Sequence, residues 1–396
     1  MELIVQKFGG TSVADINKIK KVTQLILATL SEGYRVIVIV SAMDGVTNKL
    51  ITLCNELSSI ATTSNLAEYD AALSSGEMVS AALLALCLQA AGAKSRSILA
   101  WQLPIVTNDN YGHAAVETID NSLLKQCIQQ GIIPVIAGFQ GVTAQYKCTT
   151  LGRGGSDTTA SLIAATMGAS RCDIYTDVDG VFTADLRIIV DAKKLNQISF
   201  EEMLALSSSG AKVLHPRCVE IAMRYNIPIH VISSFTDKAA GTLVTSRDKI
   251  MEHRAITSIT SNKNLLNLTI HSPAIDFAVV CSKLAENNIN VELMLNVVTG
   301  DRYSFVIQLV DKNKLELLLC DLGLSYTVDT NISTVSIVGF SIKNDNAFIH
   351  TILAMLAQES VHIFAVQISE IKMLLLIEDV NTEKVICICH KFIDQK

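Results

Sequence analysis

The sequence predicts an α/β protein: an open, mainly parallel sheet sandwiched by helices, followed by two smaller ferredoxin-like units. Three observations carry this. Through the first 235 residues, short runs rich in Val and Ile alternate with helix-like segments, the order that builds parallel sheets covered on both faces. Hydrophobic residues make up 49% of the chain and aromatic ones only 5%, so the core is one of Ala, Val, Ile and Leu, as in buried parallel strands. Beyond about residue 254 the segments shorten into βαββ-like units that repeat at a spacing of roughly 70 residues.

In order, apolar runs predict strands over 3–8, 34–40, 96–100, 131–139, 172–178 and 227–233. Helical patterns lie between them, over 14–31, 47–60, 78–92 and 114–130. After "TDKAAGTLV" (236–244) the character changes, which puts the boundary near 240–255. The first later round reads "LLNLTI", a helix over 274–287, "INVELML" and "YSFVIQL"; the second reads "TVSIVGF", a helix over 346–359, "VHIFAVQI" and "KMLLLIE". The expected division is 1–245 for the first domain and 254–396 for the rest, with units at about 263–330 and 331–396 that are open to intertwining. Met251 stands at the boundary, where an internal start would yield the second part alone.

A net charge of −6 gives no electrostatic case for nucleic acid, and no Lys/Arg run points to an anionic membrane. The apolar stretch 78–93 is short for a bilayer span, and the N-terminus lacks the pattern of a signal peptide. Ten cysteines are scattered without a CxxC pair; "CICH" (387–390) reads as buried thiols before it reads as metal ligands. A cytoplasmic protein is expected.

Several stretches carry candidate chemistry. In "VQKFGGTSVA" a strand delivers Lys7, Gly9 and Gly10 admit close backbone approach, and Thr11 or Ser12 can cap the next helix. N–H groups at such a helix start attract phosphate, although an ordinary strand-to-helix turn reads the same way. Ser41 ends the next strand and Thr47 opens a helix; strand C-terminal ends are where ligands sit in open sheets, and helix capping explains both residues equally. Ser74 and Glu77 have capping-box spacing, with a carboxylate for a substrate ammonium as the rival reading of Glu77.

"TTLGRGGSDTTA" places Ser156 and Asp157 at a helix start, where both are favoured. Arg153, set between glycines, has little to pack on and suits a bidentate clamp on a carboxylate or phosphate. "TDVDGVFTADLR" gathers Thr176, Asp177, Asp179, Phe182, Asp185 and Arg187 past a strand end, a set for a nucleotide and its magnesium or a polar turn. "SSGAKVLHP" offers Lys212, with His215 before Pro216 as a helix-boundary residue. No triad, HExxH or GxGxxG pattern assembles, and no general base stands out. Phosphoryl transfer to a carboxylate needs none, since that nucleophile is ionised at neutral pH.

With these residues in hand the chain is identified as resembling the aspartokinases of the amino-acid kinase superfamily. "KFGGTSVA", "VSAMDGVTNKL", "SSGE", "AGFQGV", "TTLGRGGSDTTA", "TDVDGVFTAD" and "SSGAKVLHP" occur in that family's order, and the C-terminal part resembles its paired ACT domains. The resemblance implies an amino-acid kinase fold and ATP-dependent phosphorylation of the L-aspartate side chain, the first step toward lysine, threonine, methionine and diaminopimelate. It implies Lys7 and Asp157 as catalytic residues. Ser41, Thr47, Glu77, Arg153 and Ser156 would bind substrate. Lys7, Gly9, Gly10, Thr176, Asp177, Phe182, Arg187 and Lys212 would bind nucleotide. Mg2+ would arrive with ATP and not on protein ligands. A homodimer or higher oligomer through the ACT domains is implied, and a fused homoserine dehydrogenase is not expected. A glutamate or acetylglutamate kinase, or a silent amino-acid-binding regulator, remains as the alternative.

Two departures stand out. Leu186 replaces a proline in the nucleotide loop, which loosens a turn without removing a functional group. ACT domains carry a Pro-Gly pair where the first strand enters the helix; "HSPAIDF" has Ala274 in the glycine position, and "IKNDNAF" has Asn346 and Ala347 in place of both. A Cβ there obstructs backbone contact with an effector, so lysine or threonine inhibition is expected to be weakened.

Overall fold

The computed structural model describes residues 1–57, 66–236, 240–250, 255–271, 277–287, 289–296, 303–340 and 342–393. The chain forms two compact units. Met1–Phe182, Lys194–Ser208 and Lys212–Glu252 make the first; Thr183–Lys193, Ser209–Ala211 and His253–Lys396 make the second.

The first unit runs β1 (Leu3–Phe8), α1 (Ile16–Ser31), β2 (Arg35–Val40), α2 (Val46–Leu57), α3 (Leu66–Ala90), β3 (Ser95–Ile98), β4 (Ile105–Thr107), β5 (Val116–Ile119), α4 (Ser122–Gln129), β6 (Ile133–Ala137), β7 (Gln140–Val142), β8 (Cys148–Thr150), α5 (Gly155–Met167), β9 (Arg171–Thr176), β10 (Gln197–Ser199), α6 (Phe200–Ser208), α7 (Pro216–Tyr225), β11 (Ile229–Ser233) and β12 (Thr242–Thr245). Eight strands form one sheet in the order β10-β12-β11-β9-β1-β2-β6-β3. Only the β11–β12 pair is antiparallel, so the expected open, mainly parallel sheet is present.

β1 is central and buried along its whole length, Gln6 and Lys7 included, which is why it reads as an unbroken apolar run. Phe8 stacks on Tyr175 with ring centroids 4.6 Å apart, and truncating it to alanine would cost about 3–5 kcal/mol. α1 is capped by Asp15, whose side chain accepts from Lys18 N at 2.9 Å, and it buries Ile19, Val22, Thr23 and Ile26 at helical spacing.

Three expectations need correcting. The helix expected over 78–92 is α3, which begins by Leu66 and has 25 residues. It is therefore long and apolar enough to cross a membrane; half of its most apolar window is buried inside the unit, and its buried side carries Asp70, Ser74, Glu77 and Ser80. The helix expected over 114–130 is a strand, Val116–Ile119, followed by a helix of eight residues; Asp120 accepts from Ser122 N at 2.9 Å and separates them. A small sheet, β5-β4-β7-β8, was not expected, because strands of three or four residues are too short for a periodic pattern to be legible.

The second unit continues with β13 (Ser258–Asn262), β14 (Leu265–Ile270), α8 (Phe277–Glu286), β15 (Val291–Asn296), β16 (Tyr303–Gln308), α9 (Lys312–Asp321), β17 (Tyr326–Asp329), β18 (Ile332–Val338), α10 (Asn346–Gln358), β19 (Ile363–Ile368), β20 (Lys372–Glu378) and α11 (Thr382–His390). Two antiparallel four-stranded sheets result, β15-β16-β14-β17 and β13-β18-β20-β19. β13 precedes the first βαββ round yet pairs with β18 of the second. Leu265 and Val306 of one sheet share a core with Ile332 and Leu376 of the other. α9 and α11 complete ferredoxin-like units; Cys389 of α11 is buried, which pushes its thiol up to about 12, and His390 Nε2 lies 3.0 Å from Thr183 Oγ1. Ala274 and Met251 lie outside the described residues.

Candidate active site

Lys7, Gly9, Gly10, Ser41, Glu77, Ser156, Asp157 and Thr176 lie at or beside the ends of β1, β2, β6 and β9. The ladder continues past the strands: Gly9 N donates to Tyr175 O at 3.2 Å, Ser41 N to Phe8 O at 3.1 Å and Gly138 N to Val40 O at 3.0 Å. The loops therefore leave the sheet at one level. A Cβ on Gly10 would lie 2.9 Å from Ala42 O, so only glycine lets the first loop close against the second. A Cβ on Gly138 would meet Ser156 Cβ at 2.8 Å, which shows how closely α5 starts over the sheet end.

Lys7 stands in register between Ile39 of β2 and Ile174 of β9. Its Nζ is 2.6 Å from Asp157 Oδ1, in the first turn of α5, with both side chains almost fully buried. The helix N-terminus favours the carboxylate, and the pair confines a cation beneath the loops.

Glu77 reaches the site from α3. Its Oε1 accepts from Ala42 N at 3.0 Å; its Oε2 is buried with no hydrogen-bond partner. Burial raises the carboxyl to about 7, opposed by the Ala42 N–H. The capping box does not form. Glu77 lies in the middle of α3, and Ser74 Oγ turns back to Ala71 O at 2.9 Å, since the helix starts well before the apolar run. A Cβ on Gly76 would meet Ala42 Cβ at 2.8 Å and Val46 Cγ1 at 3.4 Å, so α3 packs tightly on the corner that carries Ser41 and Thr47, both half-buried.

Arg153 is exposed on the loop before α5, between Gly152 and Gly154. His215 is the N-cap residue of α7, with Pro216 opening the helix as expected. Burial holds its imidazole below the usual range, opposed by the charge of Asp157.

On the nucleotide side, Thr176 Oγ1 donates to Asp177 Oδ1 at 3.1 Å at the end of β9. Phe182 is half-buried and bridges to Lys194, and Lys212 is exposed. Arg187 forks onto Asp185, at 2.6 Å from Nη2 to Oδ2, within Thr183–Lys193, a segment of the second unit. Two serines complete the picture. Ser12, read as a possible cap, instead shares a 2.7 Å hydrogen bond with Ser234 Oγ, which donates to Thr176 O at 3.0 Å. Ser234 follows the C-terminal end of β11, and that position was the signal available for it. Among the described residues no group of three His, Cys, Asp or Glu side chains is arranged to hold a metal ion.

A mainly parallel sheet whose strand ends converge on a buried lysine–aspartate pair defines an amino-acid kinase, and the amino acid kinase family model matches residues 2–233. The aspartokinase of Rickettsia bellii is 55% identical over 391 residues, covering 98% of this chain and 96% of that protein. Aspartokinase III of E. coli in complex with aspartate and ADP superposes with a TM-score of 0.85 at 26% identity, covering 98% and 99% of the two chains. The same enzyme in complex with lysine and aspartate gives 0.77 at 26%, covering both chains fully. The chain belongs to the aspartokinase family.

Proposed function

We propose that the first unit transfers the γ-phosphoryl group of ATP to the side-chain carboxylate of L-aspartate, giving 4-phospho-L-aspartate. The observation that carries this is the buried Lys7–Asp157 pair at the strand ends, 2.6 Å apart. Lys7 offsets the charge developing on the transferring phosphoryl, and Asp157 holds Lys7 in position. The attacking carboxylate is already ionised, so no base is required. Glu77 directs its unpartnered Oε2 to the substrate ammonium, Arg153 clamps a substrate carboxylate, and Ser41, Thr47 and Ser156 line the pocket. Gly9, Gly10, Thr176, Asp177, Phe182 and Lys212 receive the nucleotide.

Mg2+ fits as part of the nucleotide. The site offers Lys7 and backbone N–H groups, and among the described residues no group of three His, Cys, Asp or Glu side chains could hold the ion, so phosphate oxygens and water would supply its ligands and it would neutralise phosphate charge. The product is the first intermediate toward lysine, threonine, methionine and diaminopimelate, made in the cytoplasm; all ten cysteines are free thiols, which suits a reducing compartment. The second unit serves as a pair of ACT domains that associate copies into a homodimer or higher oligomer and bind lysine or threonine weakly. Ala347 supports the weak binding: it is exposed in the first turn of α10, beside a cavity of about 500 Å³ bordered by Phe340, Ile342, Phe348 and Phe392.

The test is a coupled ADP-release assay with Mg·ATP and L-aspartate, run beside glutamate and acetylglutamate. Turnover on aspartate alone is expected. Turnover on a rival acceptor, or none on aspartate, would overturn the assignment.

A further inference from the structure

Rings face the glycines of the loop that carries Arg153. A Cβ on Gly152 would come within 2.5 Å of His113 Nδ1, and one on Gly155 within 2.6 Å of Phe139 Cδ2. On Gly154 a Cβ would overlap Cβ and Cγ of His215 and lie 2.7 Å from Cδ2. Gly154 also has φ 64°, so the chain turns there in a left-handed conformation while pressed on the imidazole. The rest of the loop is pinned: Leu151 N donates to Phe139 O at 2.9 Å, and Arg217 Nη1 donates to Ala114 O and Leu151 O at 3.1 and 3.2 Å.

His113 is exposed and free to turn aside, whereas His215 is not. It is tied to the start of α7, which packs on α5, and its neighbours Leu214 and Cys218 are buried. Its Nδ1 is buried without a hydrogen-bond partner, so its shape is what the loop uses. Between Gly152 and Gly155, Arg153 is the only residue with a side chain, and its backbone runs between glycines that rings press on from either side. We propose that His215 is a positioning residue: its ring seats Gly154 and thereby aims Arg153 at the substrate carboxylate. This rests on the reading of Arg153 as the clamp.

The experiment is steady-state kinetics on the full chain, with KM for aspartate and for ATP measured separately. His215 makes no side-chain cap hydrogen bond, so His215→Asn supplies a favourable helix N-cap while removing the ring, and it is expected to raise KM for aspartate about tenfold while KM for ATP moves less than about twofold. His215→Phe restores most of the loss, because no hydrogen bond is given up. Gly154→Ala raises KM for aspartate further. An unchanged KM for aspartate in His215→Asn, or a parallel rise for ATP, would overturn the proposal. Arg153→Lys separates the two claims. If it raises KM for aspartate and His215→Asn does not, only the positioning role fails. If Arg153→Lys has no effect, the clamp reading fails and the positioning role with it.

Discussion

Lys7 Nζ stands 2.6 Å from Asp157 Oδ1, joining the central strand of the eight-stranded sheet to the first turn of α5. A buried pair of this kind holds a cation without letting it wander, at the cost that neither partner tolerates loss of the other. Asp157→Asn is expected to lower kcat by about 10²-fold or more, and Lys7→Met by at least as much, with little change in KM for aspartate. Single-turnover ADP formation on folded variants checks this; a kcat within about threefold of the parent would remove Lys7 from the transfer step.

Glu77 makes a pH-dependent prediction. Its carboxyl is raised to about 7 in the fold, above its ordinary value of 4.5, so the folded state holds a proton that the unfolded chain has released between those limits. That stabilisation is fully present below about 4.5 and is lost as pH rises through 7, by roughly 2–4 kcal/mol. Glu77→Gln does not titrate, so its denaturation midpoint should gain on the parent between pH 5 and pH 8. Substrate binding runs the other way: the ionised form attracts the ammonium, so KM for aspartate should fall from pH 6 to pH 8 in the parent and stay high and flat in the variant.

Asp70 is a structural counterpart on the same helix. It is fully buried and accepts from Gly112 N at 2.9 Å, Thr150 N at 2.7 Å and Thr150 Oγ1 at 2.8 Å. Asp70→Ala leaves these donors unsatisfied and should cost about 3 kcal/mol or more, whereas Asp70→Asn keeps one acceptor oxygen and should cost about half as much. Urea titration measures both, and equal losses would contradict the hydrogen-bond account.

Inhibition tests the second unit. On the reading proposed for the second unit, in which the resemblance puts Ala274 and Ala347 at a pair of residues where effectors meet backbone, lysine and threonine are expected to inhibit only weakly. Ala347→Gly should sharpen the response by removing an exposed methyl at the start of α10. Strong inhibition of the parent at sub-millimolar lysine or threonine would sink this reading.

Much of the fold was legible. β1, β2, β9 and β11 follow the Val/Ile-rich runs to within a residue or two, because a strand covered on both faces must be apolar throughout. The start of α3 was not, since its first turns carry Glu68, Tyr69 and Asp70 and the apolar pattern strengthens only later. β4, β5, β7 and β8 escaped for lack of length, and α9 and α11 because they are one-sided helices of ten and nine residues. In the site, Lys7, Glu77, Arg153 and Asp157 stood out as residue types in the right motifs. Ser234 did not, because its place after a strand end is a signal that many loop residues share, and the support given by His215 did not, because nothing local marks a ring that acts on a segment far along the chain.

By itself the sequence determined the element types, the parallel core and the candidate chemistry, because those follow from periodicity and from what each side chain can do. Only the tertiary structure decided which candidates meet. It brought Lys7 to Asp157 across 150 positions and turned Glu77 from a helix cap into a half-satisfied buried carboxylate. Such pairings depend on register, helix start and close approach at glycine, and these are fixed by packing between distant segments.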